Sequence, residues 1–174
     1  MGGDGWSVAR IEEIPTNPEI PVPGSTATPE EERAALRERD PAFIERVQRL
    51  TARFPDTNWT WHAVRRHFGI TSFGVNASEA AEGDPLIVPH KETQYGQEEL
   101  YLVLRGRARF VCDGEELELG EGDLLFCRPE VHREAIALET PTLLFLVGGL
   151  PGRPYEIPTW SRDWRPPASA EKPN

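Results

Sequence analysis

Between residues 59 and 150, the sequence is a succession of short strand-like runs separated by turn residues. The runs lie at about residues 60–65, 70–76, 85–90, 99–112, 115–119, 123–128, 132–138 and 142–148. Asp113 and Gly114 predict a two-residue hairpin turn, because glycine adopts positive φ at little cost. No helical periodicity interrupts the runs. The pattern therefore predicts an all-β fold, an antiparallel sandwich or barrel rather than a parallel α/β sheet.

Proline separates this β region from the rest of the chain. Of the 17 prolines, 13 lie before residue 59 or after residue 150. We therefore predict three parts: an N-terminal extension at residues 1–58, a barrel at 59–150 and a Pro-rich tail at 151–174.

Two short helices are expected within the N-terminal extension. Thr28-Pro29 and Asp40-Pro41 each combine an N-cap residue with proline at the first helical position. The second helix carries an apolar face made of Phe43, Val47, Leu50 and Phe54. This face predicts packing against the barrel, and docking of a partner protein on the segment at residues 29–54 is the alternative.

Charge and hydropathy narrow the range of partners and locations. The formal net charge is −10, and no block of Lys or Arg offers the basic surface that nucleic acid or an anionic membrane requires. The chain shows neither the apolar segment of a signal peptide nor a stretch of about 20 apolar residues. We expect a cytoplasmic protein that binds neither nucleic acid nor membrane. Its two cysteines, Cys112 and Cys127, are interpreted as reduced thiols packed as small apolar groups.

The run "ELYLVLRGRARFVC" is apolar on both faces. Leu100, Leu102 and Leu104 alternate with Tyr101 and Val103, so neither side of the strand is suited to water. One face must line the interior, and the other needs a second sheet, the N-terminal helices or a partner subunit. This pattern favours a homodimer.

Two motifs in the β region resemble those of the cupin family, which are small β-barrels of the jelly-roll type with a central pocket. Gly83, then Glu99 followed by six residues and Gly106, match most of the first motif, but "HKE" stands in place of its His-x-His pair. The segment "GEGDLLFCRPEVH" matches the second motif, one residue short before its histidine. The resemblance covers residues 70–150 and is greatest to a bacterial subgroup with a degenerate first metal motif. It implies a cupin-type antiparallel barrel, here with an N-terminal helical addition.

Four residues are candidate metal ligands in such a barrel. Residues i and i+2 of a strand share one face, so His90 and Glu92 can both point inward, with Gln94 after them. Glu99 would enter from the next strand and His132 from across the barrel. One divalent ion of iron, manganese, nickel or zinc suits these nitrogen and oxygen donors. The alternative is that these residues are solvated strand ends and surface ion pairs.

The resemblance implies a small organic molecule bound in the barrel. We interpret Gln94 and Tyr101 either as contacts of that molecule or as residues that support the metal ligands. A mononuclear metal enzyme of the dioxygenase, isomerase or decarboxylase type is one hypothesis. The altered His-x-His pair favours the other, a metal-free cupin that binds a small molecule or serves as a scaffold without catalysis. The sequence does not decide whether the protein is an enzyme.

Overall fold

The computed structural model describes residues 2–3, 5–14, 16–17 and 59–157, together with positions 34, 38, 41, 45, 48, 49, 52 and 53. Within these residues the strands are β1 (Gly2–Gly3), β2 (Trp6–Ser7), β3 (Thr16–Asn17), β4 (Thr60–His62), β5 (Gly74–Ala80), β6 (Pro85–His90), β7 (Glu98–Arg105), β8 (Arg107–Cys112), β9 (Glu115–Gly120), β10 (Leu124–Cys127), β11 (Arg133–Ala137) and β12 (Thr142–Gly149). One short α-helix, α1 (Val64–Phe68), follows β4, and a 3-10 turn spans Ile11–Glu13.

The strands form two facing antiparallel sheets. One sheet has six strands in the order β10-β7-β12-β5-β4-β3, and the other has four in the order β6-β11-β8-β9. A separate ribbon pairs β1 with β2. The all-β antiparallel barrel expected from the sequence is confirmed.

Residues alternate between the barrel interior and its outer surface. On β7, Tyr101 and Val103 are buried in the main core cluster, whereas Leu100 and Leu104 are 41% and 37% exposed. Phe110 lies beside Tyr101, with ring centroids 5.4 Å apart. The interior at this level is thus filled by large side chains from both sheets.

The predicted hairpin between β8 and β9 is present. Cys112 pairs with Glu115 at its base, and Asp113 and Gly114 have φ values of 49° and 90°. Two consecutive positive φ values identify the primed turn that matches the twist of antiparallel strands.

Three of the predicted strands are placed differently by the structure. The run at residues 99–112 is divided at Gly106 into β7 and β8, which belong to different sheets. In the run at residues 60–65, only Thr60–His62 is extended, because α1 begins at Val64. Gly69 ends α1 in the left-handed conformation, φ 67°, and its N–H bonds to the carbonyls of Arg65 and Arg66. This cap delays the next strand, so β5 spans Gly74–Ala80 rather than 70–76.

The two predicted N-terminal helices lie mostly outside the described residues, as do Phe43, Val47, Leu50 and Phe54. The eight described positions between 34 and 53 are all helical and exposed. Arg53 donates from Nη1 to Glu134 Oε2 on β11 at 2.5 Å, which brings this position to the four-stranded sheet. The tail beyond residue 157 is also outside the described part, and the three-part division of the chain stays a prediction. Among the described residues, no helix has the length and apolarity needed to cross a lipid bilayer.

Candidate metal centre

Side chains from both sheets meet at one end of the barrel interior. His90 ends β6, Glu92 follows in the connecting loop, and Glu99 lies near the start of β7. The loop is fixed by its backbone, because Glu92 N–H donates to the carbonyl of Pro129 and the Glu92 carbonyl accepts from Tyr95 and Gly96. The three side chains are held from both sheets and are only slightly exposed, by 14%, 10% and 18% in that order.

The ligand atoms of His90, Glu92 and Glu99 point at one another. His90 Nε2 lies 3.3 Å from Glu92 Oε1 and 3.7 Å from Glu99 Oε2, and one ligand atom of each residue lies within 4.8 Å of the other two. Two atoms bound at about 2.1 Å to one first-row metal ion are roughly 3.0–3.4 Å apart at octahedral or tetrahedral angles. The spacing of the three residues, called here the His90–Glu92–Glu99 cluster, is therefore near that of a coordination site.

The ring orientation of His90 directs Nε2 toward the carboxylates of Glu92 and Glu99. Its Nδ1 lies 2.5 Å from the carbonyl oxygen of Val88, and a carbonyl only accepts, so the Nδ1 hydrogen is directed there. In the neutral ring Nε2 then carries a lone pair that faces two carboxylates. Three electron-rich atoms in such contact require a cation between them, either a proton on Nε2 or a metal ion.

Arg133 is the residue of this region that the sequence reasoning missed. It is fully buried and directly pairs with His90 in the β11–β6 ladder. Its Nη2 donates to Glu99 Oε2 at 3.0 Å, its Nε to the Tyr101 hydroxyl at 3.3 Å and its Nη1 to the Val131 carbonyl at 2.7 Å. The Tyr101 hydroxyl also donates to Glu99 Oε2. One oxygen of Glu99 is thus held by two donors, as outer hydrogen-bonding partners hold metal-ligating carboxylates.

Electrostatic coupling sets the protonation of these groups in the metal-free chain. Burial by itself would lower the pKa of His90, but hydrogen bonds to Glu92 and Glu99 and their negative charges outweigh it and raise the pKa to about 9. Burial alone would raise the pKa of Glu99, yet His90 and Arg133 hold it below its usual range. Burial beside the Glu99 charge places the pKa of Tyr101 well above its usual value. Tyr101 therefore remains a neutral hydrogen-bond donor.

The second carboxylate oxygen of Glu92, Oε2, supports the presence of a cation at the cluster. Glu92 Oε2 is buried and has no hydrogen-bond partner among the described residues. A buried carboxylate oxygen without a partner costs free energy, and coordination of this oxygen to a cation would remove that cost. One imidazole and two carboxylates are donors that suit first-row divalent ions. The residues present fit such an ion.

The other two predicted site residues lie away from the cluster. Gln94 is exposed in the loop between β6 and β7. His132 is not part of the metal-ligand group found among the described residues, because β11 turns Arg133, Ala135 and Ala137 inward and His132 has the opposite parity. Its backbone is fixed by Asp113, whose N–H and side chain bond to the His132 carbonyl and N–H.

The alternation of β11 is the signal that sequence reasoning could have used. Ala135 and Ala137 are both small, apolar and two residues apart, and residue 133 continues that inward row. The second cupin motif is one residue shorter here before His132. A shift of one residue turns a side chain to the other face of a strand, so this spacing also indicates that His132 faces outward.

Comparison with known proteins identifies the family. Residues 79–148 match the family profile described as Cupin domain. This region of the chain is a cupin domain. No curated protein matches its sequence significantly.

Several solved cupin structures resemble the barrel. A cupin protein from Bacteroides fragilis is 24% identical, with a TM-score of 0.45, over 52% of this chain and 75% of the other. A predicted oxalate decarboxylase from Thermotoga maritima is 17% identical, with a TM-score of 0.46, over 53% and 80%. A sugar phosphate isomerase of the cupin superfamily from Silicibacter pomeroyi is 19% identical, with a TM-score of 0.46, over 52% and 58%. Cupin barrels carry different chemistry on one fold, so activity must be argued from the site.

Proposed function

We propose that this cupin binds one divalent first-row metal ion at the His90–Glu92–Glu99 cluster and presents it to a small organic molecule at the barrel mouth. The observation that carries the proposal is the meeting of three acceptor atoms, with His90 Nε2 at 3.3 Å from Glu92 and 3.7 Å from Glu99. The unpartnered Glu92 Oε2 supports it.

Each residue near the cluster has a distinct task in this proposal. His90, held by the Val88 carbonyl, supplies the one imidazole donor. Glu92 and Glu99 supply carboxylate oxygens, and Arg133 and Tyr101 keep the Glu99 carboxylate in a single orientation. When bound, the ion would supply Lewis acidity toward an oxygen atom of the organic molecule. Three protein ligands leave coordination positions open for that atom, and the partial exposure of the three side chains gives access from solvent.

The reaction classes that the resemblance implies are those of a dioxygenase, an isomerase or a decarboxylase. Each requires that the organic molecule reach the metal, so metal content is the first property to measure. Gln94, in the exposed loop after β6, is proposed as a contact for the organic molecule outside the ligand set.

A metal-free binding protein is the second candidate function, and the charges of the same region favour it. With His90 protonated, two cations, His90 and Arg133, balance the two carboxylates of Glu92 and Glu99 without a metal ion. In that arrangement the barrel mouth would hold a small molecule without catalysis.

Elemental analysis separates the two candidates. Untagged protein from cells grown with added iron, manganese, nickel and zinc is expected to contain near-stoichiometric metal. His90→Ala and Glu92→Ala are expected to lose most of it, because each removes a ligand. His132→Ala is the matched control and is expected to keep it, since the structure leaves this imidazole out of the cluster.

Circular dichroism and thermal unfolding establish that each variant is folded. Wild-type protein that contains no metal after growth in supplemented medium, and binds none on reconstitution, would contradict the metal proposal. The metal-free binding protein would then be the function that agrees with the data. Metal loss in His132→Ala would show that the ligand set extends beyond the cluster.

We also propose that the protein forms a homodimer through the outer face of β7 and β10. This apolar face is defined by Leu100, Leu104, Leu124 and Phe126, whose exposed fractions are 41%, 37%, 60% and 53%. The two strands are hydrogen-bonded neighbours, so these side chains form one continuous surface. Large apolar surfaces of this kind are typical of protein interfaces.

We propose a second copy as the occupant because, where they are described, the other two expected coverings contact different parts of the barrel. The four-stranded sheet covers the opposite, interior side of β7. Arg53 of the N-terminal helical segment pairs with Glu134 on that four-stranded sheet, away from the apolar face. Three coverings were expected for β7: a second sheet, the N-terminal helices and a partner subunit. We propose the partner subunit for this apolar face.

Light scattering coupled to size exclusion tests the dimer. The wild-type chain is expected to elute as a dimer, and Phe126→Glu is expected to raise the dissociation constant at least about 30-fold, as burial of a charge at a central apolar contact does. Val8→Glu is the control, because Val8 is 64% exposed and outside the apolar face. A monomeric wild-type chain contradicts the proposal, and in that case the same measurement on a chain ending at residue 157 tests the C-terminal tail as the covering.

A further inference from the structure

The only two cysteines of the chain lie on opposite sheets of the barrel. Cys112 ends β8 in the four-stranded sheet and is partly buried. Cys127 ends β10 in the six-stranded sheet and is 1% exposed. Both thiols are free, and Cys112 packs against the core cluster that contains Cys127.

The strand ladders place the two thiols face to face. Cys112 pairs with Arg133 across β8 and β11, and Cys127 pairs with Glu99 across β10 and β7. Directly paired residues project to the same side of a sheet. Arg133 and Glu99 meet across the interior at 3.0 Å, so the cysteines beside them project into the same part of the interior from opposite sheets. The two thiols are near enough for each to influence the pKa of the other.

We propose that Cys112 and Cys127 are an oxidisable pair, which hydrogen peroxide or an organic hydroperoxide converts into a disulfide that links the two sheets. The proposal does not rest on the proposed metal function, although the two cysteines pair with Glu99 and Arg133 beside the cluster. Disulfides inside cells are rare, and those that form are commonly transient or redox-sensing.

The chemistry proceeds in two balanced steps. The Cys112 thiolate, the more accessible of the two, attacks the peroxide O–O bond, which breaks to give a sulfenic acid on Cys112 and releases water or an alcohol. Cys127 sulfur then attacks the sulfenic sulfur, the S–S bond forms and the S–O bond breaks, and the oxygen leaves as water. The two thiols lose two electrons and two protons in total, and the peroxide is reduced.

Two structural properties shape this reaction. A disulfide requires the sulfurs to close to about 2.05 Å, and the packing of Cys112 against the cluster that contains Cys127 makes this a movement within the barrel interior. Burial raises the pKa of Cys112, and it raises the pKa of Cys127 to about 12. Because the thiolate is the reacting form, oxidation is slow and follows sustained rather than brief exposure to peroxide.

Mass spectrometry of the full-length wild-type chain tests the pair. Protein treated with a chelator, so that no metal reacts with peroxide, is exposed to hydrogen peroxide under native conditions. The expected product is a monomeric chain lighter by two hydrogen atoms, with peptides joined through Cys112 and Cys127. Thiol titration in denaturant falls from two groups to none, and dithiothreitol restores both.

Thermal unfolding provides a second measurement. The bond closes a loop of about 15 residues, and the unfolding midpoint of the oxidised chain is expected to rise by about 6–12 °C. Cys112→Ser, at the more accessible position, is the control and is expected to show no such rise. Three outcomes overturn the proposal: both thiols persist after prolonged treatment, oxygen adds to Cys112 while Cys127 stays a thiol, or only disulfides between chains form.

Discussion

Replacing Arg133 by methionine is expected to lower the free energy of unfolding by about 3–5 kcal/mol, because removal of one partner leaves a buried charge uncompensated. The guanidinium is fully buried and makes three hydrogen bonds, one of them to Glu99 Oε2 at 3.0 Å. Methionine fills a similar volume, so the loss reports the missing charge and hydrogen bonds. Urea unfolding in the presence of a chelator measures it without a contribution from bound metal.

A surface arginine and a double variant sharpen this prediction. Arg107 pairs with Glu118 at 2.7 Å, but both side chains are at least half exposed, so Arg107→Met is expected to cost less than about 1 kcal/mol. Adding Glu99→Gln to Arg133→Met removes the unpaired charge, and the double variant is expected to be more stable than the sum of the two single losses by about 0.5–3 kcal/mol. A cost for Arg133→Met as small as that for Arg107→Met would show that the buried pair does not stabilise the barrel.

Replacing Gly106 by alanine is expected to cost about 2–5 kcal/mol of unfolding free energy. Gly106 separates β7 from β8 with φ 75°, a left-handed conformation that disfavours a side chain. A methyl group there would also lie 2.7 Å from Thr142 Oγ1 and 2.9 Å from the Pro141 carbonyl oxygen. Backbone conformation and close contact therefore both oppose the substitution.

Gly122→Ala separates these two causes. Gly122 has φ 89°, but a Cβ there would meet nothing within 4 Å. Its loss is expected to be only about 1–2 kcal/mol, the conformational part alone. Equal losses at the two positions, measured by urea unfolding, would show that the contact of residue 106 with residues 141 and 142 has no cost.

Local signals allowed most of the barrel to be predicted from the sequence. The Asp113-Gly114 turn and the alternation of Leu100 and Tyr101 act over a few residues, and the sheets preserve both. One error was to miss the division of the run at residues 99–112 at Gly106, and another lay at residues 60–76, where α1 has only five residues and no side-chain N-cap. A helix that short gives little periodicity, and Gly69 as its C-terminal cap was the sole local indication.

The candidate site was less accessible to prediction because it depends on contacts distant in sequence. The structure brings His90, Glu92 and Glu99 together, and all three came from strand alternation or from motif spacing. Arg133 instead meets Glu99 from the facing sheet, 34 residues away, and a buried arginine is uncommon enough that composition favours a surface position. The alternation of Ala135 and Ala137 indicates that residue 133 rather than 132 faces inward, and the pairing of β11 with β8 confirms this register.

The alternation of β11 also determines how a second imidazole can be gained. Sliding the strand by one residue to turn His132 inward would carry Glu134 into the core in place of Ala135, at a prohibitive desolvation cost. A shift in the register of β11 therefore cannot supply a second histidine ligand without destabilising the core. Substitution of Arg133 itself keeps the register, and a histidine there would replace a structural cation with a metal donor beside His90.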